Sequence, residues 1–215
     1  MIKLKTISFL IIFAFLATFG DGFTQASKPN TTETSTTTTT KTKFTAQKYG
    51  YFEISPMAGV LFPVGVFAND FDISGRAGLD MGYRINREVG IYGNVSYNFL
   101  SPKQSEGPGA SYLSYTVGPR YYFTNPKLKS TIFLEAGVGG YSFTRDEYSI
   151  TNQGITTNFP EAGETRFGVN TGIGADVIVS DNVSLMLKAK YNLIMSGGDN
   201  ARSFIGTDAG VNIRF

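Results

Sequence analysis

Asp70, Asp72, Ser74 and Gly75 repeat the opening D-x-D-x-S-G of a calcium loop, where oxygens at alternate positions wrap the ion and a glycine makes the sharp turn. The bidentate glutamate that closes such a loop is replaced by Met81, so an ordinary polar loop explains the four residues more simply. Gly137-Val138-Gly139 and Gly172-Ile173-Gly174 have the look of phosphate-cradling glycines. Neither pair stands between a strand and a following helix, where backbone N–H groups would converge on a phosphate, and both read as small residues within strands. Asp146 and Glu147 could form a carboxylate pair for acid/base work, yet no base, nucleophile or metal signature accompanies them. The chain contains neither histidine nor cysteine, which removes the commonest metal ligand and general base, the thiol nucleophile and disulfides together. The residue types assign no catalytic, cofactor-binding or metal-binding residue, and the expectation is that the chain is not an enzyme.

The elements that carry these residues are set by a period of two. After Tyr51 the alternation predicts eight strands over 51–62, 76–85, 89–99, 111–123, 131–143, 165–179, 183–194 and 203–215. One alternate set, running from Phe52 to Phe215, carries no charge, although 17% of the chain is charged. The other set holds Glu53, Asp80, Glu135, Asp176 and Asp208 against Arg76, Arg84, Arg120, Arg166, Lys188, Lys190 and Arg214. A soluble secreted barrel of the lipocalin sort would put charge outward and oil inward. The opposite distribution predicts an all-β fold: an eight-stranded antiparallel up-and-down transmembrane barrel, apolar outside, with a filled polar interior.

The outward aromatics Phe52, Phe62, Tyr83, Tyr97, Phe99, Tyr121, Phe123, Tyr191 and Phe215 fall mostly near strand ends, as two membrane-interface girdles require. Inward glycines such as Gly82, Gly118, Gly137, Gly174 and Gly206 leave room for long charged side chains. Those charges are expected to pair, because an isolated ion in a narrow lumen is strongly disfavoured. Pro56 and Pro119 interrupt strand patterns and have no N–H for a ladder, so each is expected near a strand end or a bulge.

Connections alternate between short turns at 86–88, 124–130 and 180–182 and long loops at 63–75, 100–110, 144–164 and 194–202. Outer-membrane barrels have this asymmetry, with the short turns on the periplasmic side. In the longest loop, Tyr148 and Ile150 are expected to face Ile155 and Phe159 across Asn152-Gln153-Gly154, extending the fifth and sixth strands as a hairpin with Gly154 at its tip.

Upstream, the apolar run Ile7–Phe19 follows Lys3 and Lys5 and is too short to span a bilayer. It reads as the core of a signal peptide over 1–26, cleaved after Ala26, with Gly20 the poorer option. Residues 27–48 form a Thr-rich tract expected to be a disordered periplasmic tail, which leaves 49–215 as the barrel domain. A net charge of +2 with no basic stripe gives no electrostatic case for nucleic acid.

Gly118-Pro119-Arg120-Tyr121-Tyr122-Phe123, Leu134-Glu135-Ala136-Gly137-Val138-Gly139 and the terminal Val211-Asn212-Ile213-Arg214-Phe215 resemble the small outer-membrane β-barrel superfamily of the OmpA-transmembrane, OmpX and OmpW kind. The resemblance covers Tyr51–Phe215 and implies a bacterial outer-membrane location and contact with outer-membrane lipid. It also implies that Phe215, with Val211 and Ile213, is read by the barrel-assembly machinery. Nothing resembling a peptidoglycan-binding domain follows Phe215, so a cell-wall tether is not expected. Enzymes of this superfamily use histidine near the outer rim, which this chain lacks. The expected role is structural or surface-interactive, with an unknown surface ligand bound through extracellular loops. The alternative is a narrow channel or small-solute transporter through the lumen.

Overall fold

The computed structural model describes residues 50–103, 109–124, 130–152, 155–195 and 201–215. The leader, the Thr-rich tract, the turn at 125–129, the hairpin tip at 153–154 and the loop at 196–200 lie outside the described residues. Eight long strands alternate in direction: β1 (Tyr51–Val64), β3 (Ser74–Arg84), β4 (Val89–Pro102), β5 (Ala110–Thr124), β6 (Ser130–Arg145), β9 (Ala162–Ile178), β10 (Val183–Ile194) and β11 (Arg202–Arg214). Each pairs antiparallel with the next, and β11 returns to β1. The ring is a closed transmembrane barrel, so it exposes no unpaired ladder to hydrocarbon.

Burial alternates residue by residue, as in β1 and β3. Leu79, Ile91, Val117, Leu134, Ile173 and Leu185 stand exposed on the outer wall. On a water-facing surface such a belt would invite aggregation; against lipid tails it is the favourable arrangement. Among the lumen charges read from the sequence, Asp176 and Arg214 meet only the Ser184 hydroxyl and no opposite charge, and Arg166 departs in its position. Arg166 sits at the long-loop rim with its side chain 41% exposed, paired to Glu164 rather than to a lumen carboxylate. Its strand begins at Ala162, so the residue lies above the filled part of the lumen.

Pro56 and Pro119 need no bulge. Pairing between β1 and β11 holds from Ile54↔Ile213 to Met57↔Gly210 in one register, and β5 and β6 likewise keep register from Val117↔Val138 to Arg120↔Glu135. Each proline interrupts the ladder on one side only, while Pro56↔Leu79 and Ile91↔Pro119 persist on the other.

The inward glycines serve two purposes. A methyl group at Gly82 would meet the Glu53 side chain and one at Gly206 the Arg76 guanidinium, whereas one at Gly118 would meet the Ala136 carbonyl on the neighbouring strand. Gly118→Ala is therefore expected to cost about 1–3 kcal/mol, the usual range for overpacking, and Gly206→Ala less, because a side-chain end moves more readily than a strand. Urea melts in micelles test the ordering, and a Gly206→Ala loss larger than that of Gly118→Ala would contradict it.

Between β1 and β3 the chain makes a single helical turn, α1 (Phe67–Asp70), and a short strand β2 (Phe71–Asp72) that pairs with β4. Gly65 enters this turn at φ +63°, a left-handed conformation that side chains disfavour. The backbone N–H of Lys103 donates to the Asp70 carbonyl, and its Nζ donates to the Ala68 carbonyl. So anchored, α1 turns Phe67 into the barrel mouth.

Candidate functional site

Two regions gather functional side chains: the charged middle of the lumen, and the rim that carries the long connections. In the lumen, Arg120 of β5 reaches three carboxylates. Its Nε donates to Glu135 Oε2 at 3.0 Å, its Nη2 to Asp80 Oδ1 at 2.9 Å, and its Nη1 lies 3.5 Å from Glu53 Oε1. Lys188 pairs with Asp80, and Lys190 Nζ lies 2.9 Å from Glu135 Oε1. Three cations thus meet three carboxylates, all buried. Glu53 also accepts from the Tyr122 hydroxyl at 2.8 Å and from Asn212 Nδ2 at 3.0 Å. The guanidinium of Arg120 lies 4.4 Å from the Phe133 ring centroid, and that of Arg84 3.8 Å from the ring of Tyr122. The arrangement satisfies charge with charge, which is how ions persist away from water. Its three carboxylates are each engaged by a cation.

Arg76 and Asp208 form a second buried pair, 3.1 Å apart, closer to the long-loop rim. Above it an apolar plug closes the mouth. Leu61, Leu100, Tyr112, Tyr141, Ile194 and Phe204 surround Phe67, with Phe71 and Phe143 packed against them. Phe67 contacts Phe71 and Tyr112 with ring centroids 5.0 and 5.8 Å apart. Ion pairs thus stand in the middle of the lumen and packed aromatic rings at its mouth.

The residues singled out by chemistry do not assemble. Asp70 ends α1 and Asp72 lies in β2, both exposed, while the Ser74 hydroxyl donates to the Asp72 carbonyl at 2.8 Å and accepts from the Ser101 N–H at 3.0 Å. That hydroxyl pins the loop to β4. Gly137 and Gly139 lie within β6, and Gly172 and Gly174 within β9; the space beside Gly137 is taken by the Tyr92 hydroxyl and that beside Gly174 by the Phe133 ring. Asp146 and Glu147 are exposed between strands. Among the described residues, no group of three or more acidic side chains could hold a metal ion. The sequence reading missed the plug altogether, although the spacing of Phe67 and Phe71 was a signal for one helical turn with both rings on one side.

At the long-loop rim, Glu164 accepts from Arg166 Nη2 at 2.7 Å and from Arg202 Nη1 at 3.2 Å, and Arg202 also donates to the Tyr112 hydroxyl at 2.9 Å. From this rim β7 (Tyr148–Asn152) and β8 (Ile155–Phe159) rise as a separate two-stranded ladder. It continues the register of the barrel: Arg145 opposes Ala162 below, and Tyr148 opposes Phe159 above. The rings of Tyr148 and Phe159 stack, with centroids 4.7 Å apart and planes 11° apart. Ile150 opposes Thr157, not Ile155, which instead opposes Asn152. The tip residues expected to make the turn lie outside the described residues.

Comparison with known proteins agrees with this architecture. The family model for the outer membrane protein beta-barrel domain matches residues 65–215. No curated protein matches the sequence. Among solved structures, the chain is similar to Neisserial surface protein A, with 19% identity, a TM-score of 0.55, and coverage of 77% of this chain and 97% of that one. It is similar also to the outer membrane protein OprG of Pseudomonas aeruginosa, at 13% identity and TM-score 0.51, covering 79% of this chain and 97% of that one. Ail, the attachment invasion locus protein of Yersinia pestis, matches at 16% identity and TM-score 0.50, covering 78% of this chain and 100% of that one. At these identities the likeness is one of fold, and a fold hosts many functions.

Proposed function

This chain belongs to the outer membrane protein beta-barrel domain family, and we propose that within it the chain acts by surface interaction through its outer loops, with the barrel as a closed scaffold. It is an integral protein of the bacterial outer membrane and its wall faces lipid. The observation that carries the proposed role is the filling of the lumen: Arg120 and the two lysines occupy its middle, and Phe67 with its aromatic neighbours occupies its mouth. A path blocked by both charge and oil favours neither ion nor solute passage. The contact surface then falls to the rim and to the hairpin of β7 and β8, which belongs to the longest connection in the sequence. Binding rather than catalysis is supported by the lack of histidine and cysteine and by the pairing of Glu135 and Asp80 with cations. Residues 1–26 would serve as the secretion leader and 27–48 as a periplasmic tail to the barrel domain at 49–215. Val211, Ile213 and Phe215 would present the final strand to the assembly machinery.

The rival reading, a narrow channel, draws on buried atoms without a hydrogen-bond partner, among them Asn98 Oδ1, Thr116 Oγ1 and Asn170 Nδ2. Asp176 Oδ2 and Arg214 Nε are likewise buried without a hydrogen-bond partner, so such groups stand on both sides of the ion-pair cluster. Planar-bilayer recording separates the readings. The wild type and Phe67→Ala are both expected to show no unitary conductance, since removing the ring leaves the ion pairs in place. Steady conductance from the folded wild type would overturn the closed-scaffold reading. Replacing 146–161 with a short Gly-Ser turn is expected to preserve folding and abolish surface binding; retained binding would move the site off the hairpin.

A further inference from the structure

Arg202 reaches across the barrel mouth. It opens β11, and its Nη1 donates both to the Tyr112 hydroxyl of β5 at 2.9 Å and to Glu164 Oε1 of β9 at 3.2 Å. Its guanidinium lies 5.1 Å from the ring centroid of Phe143 on β6, so one side chain engages three other strands above the plug. Asp70, which ends α1, attracts the same cation. Glu164 is steadied in turn by Arg166, which binds its second oxygen.

The strap and the rings beneath it differ in exposure. Phe67 and Tyr112 are 2% and 1% exposed and meet edge to face at 5.8 Å, whereas the side chains of Arg202 and Glu164 are 36% and 34% exposed. An ion pair so placed is weak and is screened by salt. The turn that carries Phe67 is lightly held as well. It is entered through Gly65 in the left-handed conformation and joined to β4 by the Lys103 contacts and the two ladder pairs of β2. Such a segment can open with few backbone hydrogen bonds broken. On its lumen side stand polar groups, the Arg76 and Asp208 pair and Thr116, which water can solvate once the rings part.

We propose that Arg202 is a strap that holds the aromatic plug in the mouth, and that its release from Glu164 and Tyr112 lets Phe67 leave and admits outside solvent as far as the ion pairs of Arg120. Those pairs lie further in, so the device governs entry to the outer half of the lumen and not conduction through it. It stands apart from the loop-binding reading, and a bilayer recording decides nothing about it.

The chain has no cysteine, so one introduced thiol reports access. Thr116 lies on β5 midway between Tyr112 and Arg120, is 6% exposed and has no hydrogen-bond partner for its hydroxyl; Thr116→Cys therefore places a thiol of similar size behind the plug. Thr131→Cys, at the short-turn end of β6 beyond Glu135 and at a position 4% exposed, is the control on the far side of the ion pairs. Folded barrels in micelles, checked by gel mobility, are treated with a small charged methanethiosulfonate reagent and the rate of labelling is followed. Adding Arg202→Gln is expected to speed labelling of Thr116→Cys by about tenfold, the scale for losing a hydrogen bond to a charged group, and to leave Thr131→Cys unchanged. Phe67→Ala should speed it at least as much, and Glu164→Gln less, because the Tyr112 contact survives. Raising salt from about 0.05 to 0.5 M should speed labelling while Arg202 is present and not after Arg202→Gln. An unchanged rate after Arg202→Gln overturns the proposal, as does equal acceleration at both thiols, which would mean a loosened barrel. No acceleration by Phe67→Ala overturns it too, since the ring is then not the barrier. Should Arg202→Gln fail to fold, the Glu164→Gln and salt series decide, and a rate indifferent to both overturns the strap.

Discussion

Arg120→Met is expected to destabilise the barrel by roughly 3–5 kcal/mol, the range for breaking a buried ion pair by removing one partner. The guanidinium joins Glu135, Asp80 and Glu53, and methionine fills its volume without its charge. Three buried carboxylates would then face only Lys188 and Lys190. The loss comes less from the hydrogen bonds than from the uncompensated anion left in a medium poor in water. Combining it with Glu135→Gln restores the balance of charge, since Lys188 keeps Asp80 while Tyr122 and Asn212 still donate to Glu53. The double variant is therefore expected to recover part of the loss. Reversible urea unfolding in micelles, followed by circular dichroism, measures both. A single-variant loss below about 1 kcal/mol, the level of an exposed pair, would show that the cluster is hydrated and not a sealed block.

The fold was legible because the bilayer imposes one rule on half of the residues. No charge can stand at Ile54, Leu79, Val95, Leu134 or Val211, and none does, so the faces could be assigned before any pairing was known. Partners inside the lumen were not legible. Arg120 lies on β5 and meets Asp80 on β3 and Glu53 on β1 across the barrel, a coincidence set by strand stagger rather than by spacing in sequence. Arg166 shows the limit of face assignment: alternation gives the direction of a side chain but not its height, and this one stands above the packed interior. The plug was missed for a different reason. A period of two passes over a single helical turn, so alternation alone leaves Phe67 and Phe71 in a loop. In the hairpin, the pairing of Tyr148 with Phe159 was foreseen, while the assumed turn length misplaced the partner of Ile150.

Leu187→Arg should lower the yield of membrane insertion by more than about tenfold, since a cation on the lipid face at mid-bilayer costs ~2–4 kcal/mol. Leu187 lies within β10 between Ala209 of β11 and Ala175 of β9. Those small neighbours offer no polar group to a guanidinium and no bulk to hide it. The adjacent Lys188 is the internal control. It points inward, 5% exposed, and pairs with Asp80, so Lys188→Leu presents nothing unfavourable to hydrocarbon and is expected to insert at close to the wild-type yield. Its defect should appear instead as a lower urea midpoint, because Asp80 loses a cation although Arg120 remains 2.9 Å away. The two substitutions separate the two demands on a strand, one from the lipid and one from the lumen, at neighbouring residues. Insertion into vesicles, scored by protease protection and gel mobility, reads the first demand, and urea titration of the inserted fraction reads the second. Equal insertion yields, or a poorer yield for Lys188→Leu, would mean that the two faces of β10 are exchanged.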